Sequence, residues 1–67
     1  MQYGYRYELR HQDKIIATGH LTNDRSLQVG DRIEISGSIG IIRVVEPLLG
    51  EPELRLVVEM LPGIGEH

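Results

Sequence analysis

Tyr3, Tyr5, Tyr7 and Leu9 alternate without a break with Gly4, Arg6, Glu8 and Arg10. A period of two is the repeat of a β-strand, whose successive side chains point to opposite faces, so this run predicts a strand with one face buried. Further strands are expected over Lys14–Thr22, Asp31–Ser36, Ile41–Glu46 and Glu53–Leu61, and the same period returns in the second and fourth of these. In the last of these the adjacent pair Val57-Val58 favours a strand over a helix, because β-branched side chains fit a pleated surface. Turn-forming clusters separate the runs: "HQDK", "NDRSLQVGD", "GSIG" and "PLLGEPE". No segment carries a helical repeat. The pattern predicts an all-β chain, a five-stranded antiparallel small barrel or strongly twisted meander. Closure would remove the unpaired edges that a small sheet must otherwise protect.

The connections add local expectations. Gly19 weakens the end of the second strand or marks a bulge. Leu27 and Val29 anchor a polar loop to the core. Gly37 and Gly40 each supply positive φ to the "GSIG" turn. A β-bulge near Arg43-Val44 sends both Ile42 and Val45 inward. At most one 3₁₀ turn is expected, near Leu48. Residues 1–61 form one domain and 62–67, "PGIGEH", a flexible tail.

A chain of 67 residues is enough for one domain. It buries only about 60% of the surface its unfolded chain exposes, so it is marginally stable alone. Disulfides, metals and oligomerisation are the usual reinforcements at this size. The chain has no cysteine, which removes disulfides and thiolate zinc sites. His11, His20 and His67 have no ligand spacing, so no metal or cofactor is expected. Association with a partner or with itself remains. The formal charge of −3 argues against nucleic acid, whose binders neutralise phosphates with basic side chains. No apolar run approaches the ~18 residues of a membrane span, and no apolar signal segment opens the chain, so a cytoplasmic location is expected.

Enzymatic activity is not expected. His20 and Asp24 suggest an acid/base pair, but no nucleophile, metal cluster or phosphate-cradling loop accompanies them. The serine of "GSIG" is not on a strand-to-helix elbow, and "GIG" is too short for a dinucleotide fingerprint.

The stretch "VGDRIEISGSIGIIRVVEP", Val29 to Pro47, resembles the hairpin of SH3-like and Sm-like small barrels. It looks most like the β domain of the small-conductance mechanosensitive channels, through Val29, Gly30, Asp31, Ile33, Ile35, Gly37, Gly40, Ile42 and Val45. It is similar, less closely, to the KOW element of ribosomal and transcription proteins. The resemblance implies a fold, the SH3-like barrel, in which glycines make the turn and aliphatics fill the interior. It implies no catalytic group. The transmembrane helices of the channel family and the basic loops usual in KOW proteins have no counterpart here.

Two surfaces are candidates for function. Doubled aliphatics place one side chain on each face of a strand, and a half-buried sheet needs only one of each pair inside. Ile16, Ile41 and Val57 are the members expected on the outer face, as a protein interface or a homo-oligomer contact. A charged residue at Val57 is then expected to abolish association and leave the fold intact. The alternative is single-stranded nucleic-acid binding through a stacking row of Tyr3, Tyr5 and Tyr7 flanked by Arg6 and Arg10. The stronger expectation is a non-catalytic protein-interaction or self-assembling module.

Overall fold

The structure of the chain, a computed structural model, describes residues 2–61. The expected tail at 62–67 lies outside the described residues. Five strands form one sheet: β1 (Tyr3–His11), β2 (Lys14–Asn23), β3 (Arg32–Ile35), β4 (Ser38–Pro47) and β5 (Leu54–Met60). The spatial order is β2-β1-β5-β4-β3. The sheet curls into a half-barrel, and the described residues contain no helix. Three pairings are antiparallel, and β1 with β5 is parallel, Tyr5 opposite Leu54 through Arg10 opposite Glu59. That parallel pair is the one departure from an all-antiparallel arrangement. It joins two antiparallel groups, β2-β1 and β5-β4-β3, at the centre of the sheet. The curl does not close, so β2 and β3 are both edges.

Both tight hairpins turn through two residues with positive φ, the signature of a type I′ turn, whose twist matches that of the strands it joins. Gln12 (φ 52) and Asp13 (φ 68) link His11 to Lys14. Ser36 (φ 51) and Gly37 (φ 83) link Ile35 to Ser38. The "GSIG" turn is therefore tighter and one residue earlier than its glycines suggest. Gly40 is not in the turn and does not have positive φ. It lies inside β4, paired with Ile33 and Met60. A Cβ there would meet Val58 Cγ1 at 2.5 Å and the Glu59 carbonyl oxygen at 2.8 Å, so close approach of β5 is what requires the glycine.

The concave face holds the core. Tyr5, Leu9, Ile35, Ile42, Leu56 and Val58 are buried together, with Leu54, Met60, Ile33 and Val45 packed against them. Between Ile42 and Val44 the β4–β5 register shifts. The extra residue, Arg43, lets Ile42 face Val58 and Val45 face Leu56, so the expected bulge sends both inward. A second bulge falls opposite Leu9-Arg10, where Ile16 is the extra residue of β2. Gly19 is not its cause. In the loop between β2 and β3 only Leu27 packs on the core; Val29 is 64% exposed. The Leu27 N–H donates to the Tyr5 hydroxyl at 2.8 Å, which fastens the loop over the concave face. At Leu48 the chain makes a β-turn, closed by the Glu51 N–H to the Leu48 carbonyl at 3.1 Å, and no 3₁₀ helix forms.

Candidate functional site

The convex face is built from the residues that alternate with the core: Arg6, Glu8 and Arg10 on β1, Arg55, Val57 and Glu59 on β5. Register puts Arg6 beside Arg55, and Glu8 beside Val57. Two cations side by side need anions, and the face supplies them. Arg55 donates to Glu8 at 3.2 Å and to Glu46 at 2.6 Å. Arg10 donates to Glu8 at 2.8 Å. Arg6 donates to Glu51 at 2.8 Å, and Glu53 receives His20 Nδ1 at 3.0 Å. The hydrogen bonds from Arg10 and then Arg55 hold the Glu8 carboxyl below its ordinary 4.5. The hydrogen bond to Glu8, then that to Glu46, raises the Arg55 guanidinium. Arg6, Tyr7, Glu8, Thr18, Leu48 and Arg55 line an open groove of 320 Å³ on this face. Its two guanidiniums are both engaged by carboxylates of the chain. The groove is a cross-strand ion network, which stabilises a sheet by neutralising neighbours.

The structure places the predicted interface residues apart. Ile16 is 50% exposed on the edge strand β2, next to Ile15 at 54%. Ile41 is half-buried on β4, opposite Arg32 and Glu59. Strands β1 and β5 lie between the two, so about 14 Å of sheet separates them at ordinary strand spacing. Val57 does belong to the convex face by register, but it is only 6% exposed. Its neighbours across the strands are Glu8 and Val44, and Arg55 and Glu59 flank it on the same face of β5. Long charged side chains cover apolar surface with their stems while their heads stay wet. A charge at Val57 would enter this packed layer, so that substitution reports on stability and not on association.

The row of tyrosines is no uniform platform either. Tyr5 is fully buried, Tyr7 is half-buried, and Tyr3 is 36% exposed. The Tyr7 ring lies over its cross-strand partner Gly19, where a Cβ would come within 2.9 Å of it. Arg6 and Arg10 project from the opposite face and are paired. The five residues Tyr3, Tyr5, Tyr7, Arg6 and Arg10 therefore do not share one surface. His20 is likewise held by Glu53, not by Asp24. Among the described residues, no three of His, Asp and Glu are grouped as metal ligands are. Among the described residues no helix is long and apolar enough to cross a membrane.

The feature that residue-level reading missed is the edge. Among the described residues, Lys14–Asn23 has a partner strand on one side only. Its first three residues, Lys14 to Ile16, are exposed. The doubled "II" was the available signal, since neither isoleucine is needed inside once a bulge falls there. Compared with family models, with curated proteins and with solved structures, the chain matches none.

Proposed function

We propose that this chain is a non-catalytic interaction module, a small barrel-like sheet of SH3-like type that assembles with itself or docks on a protein partner. The observation that carries the proposal is the uncovered β2 edge with Ile15 and Ile16 half exposed on it. Backbone groups on such an edge are free to pair, and natural sheets normally guard them. Two exposed isoleucines add apolar area to that edge. The SH3-like assignment draws support from the Val29–Pro47 hairpin, whose tight turn, bulge and inward aliphatics suit a barrel wall.

The test is the solution mass, by light scattering on a size-exclusion column over a range of concentrations. The wild-type chain is expected as a dimer or larger species that dissociates on dilution. Ile16→Lys is expected to lower the mass to that of a monomer with an unchanged far-ultraviolet circular dichroism spectrum. A wild-type monomer at every concentration would count against self-assembly and leave a protein partner as the only form of the proposal.

A further inference from the structure

We draw no further inference here: the strongest candidate, the β2 sheet edge with Ile15 and Ile16 exposed on it, belongs to the interaction surface already proposed, and nothing in the structure shows what covers it.

Discussion

Gln12 and Asp13 make a two-residue turn without a glycine between them. Both have left-handed φ, 52° and 68°, which a type I′ turn demands. Such a conformation costs an ordinary L-residue about 1–2 kcal/mol, and less when the residue is asparagine, aspartate or glycine. Aspartate at 13 is a partial concession to this geometry; glutamine at 12 is none. Replacing the pair by Asn-Gly should stabilise the fold by about 1 kcal/mol, raising the melting temperature by about 4–8 °C in a domain of this size. Thermal unfolding followed by circular dichroism measures this directly, and an unchanged or lower midpoint would show that the turn is not strained. At the same scale, Gly40 illustrates what a sequence hides. Its place in "GSIG" suggests turn chemistry, yet the glycine answers to the Val58 side chain and the Glu59 carbonyl across the sheet. Only the β4–β5 pairing, which no local pattern encodes, reveals that need.

At the scale of strands, alternation carried the fold a long way. The run from Tyr3 to Leu9 specified the inner face of β1, and the doubled aliphatics around Arg43 specified the bulge that lets β4 turn Ile42 and Val45 to the same side. What alternation does not encode is which strands are neighbours. β1 and β5 are joined in parallel across most of the chain's length, and that pairing brings Glu8 within reach of Arg55. Glu8 therefore acts between strands. Its carboxyl titrates below its ordinary range when folded and within that range when unfolded. The stabilisation it confers is complete above the ordinary carboxylate pKa and disappears as pH falls through the lowered folded value. Glu8→Gln should accordingly lose stability at neutral pH, by about 1 kcal/mol or less because the pair is partly exposed. Urea unfolding should find the gap between variant and wild type narrowing to nothing in acid. A gap that stays constant with pH would mean that Glu8 contributes by packing alone. The pairing of β5 on both sides explains why Val57 left the predicted surface: Glu8 of β1 and Val44 of β4 lie beside it, and neither is visible in the sequence of β5.

For the whole molecule, the decisive property is a sheet that curls without closing. A chain this short has few ways to add stability, and it carries neither cysteine nor a closed ring of strands. Its concave side is filled by Tyr5, Ile42, Leu56 and Val58 and tied by the Leu27–Tyr5 hydrogen bond. Its convex side is neutralised by its own ion pairs. The apolar surface left uncovered includes the two isoleucines of the β2 edge. Association through β2 would cover them. Amide hydrogen exchange, followed residue by residue in dilute and concentrated samples, tests this most directly. In an antiparallel pair alternate amides point outward, so every other amide of β2 should exchange quickly in dilute solution and slow markedly on concentration, while those of β3 stay unchanged. Exchange across β2 that does not depend on concentration would contradict the account.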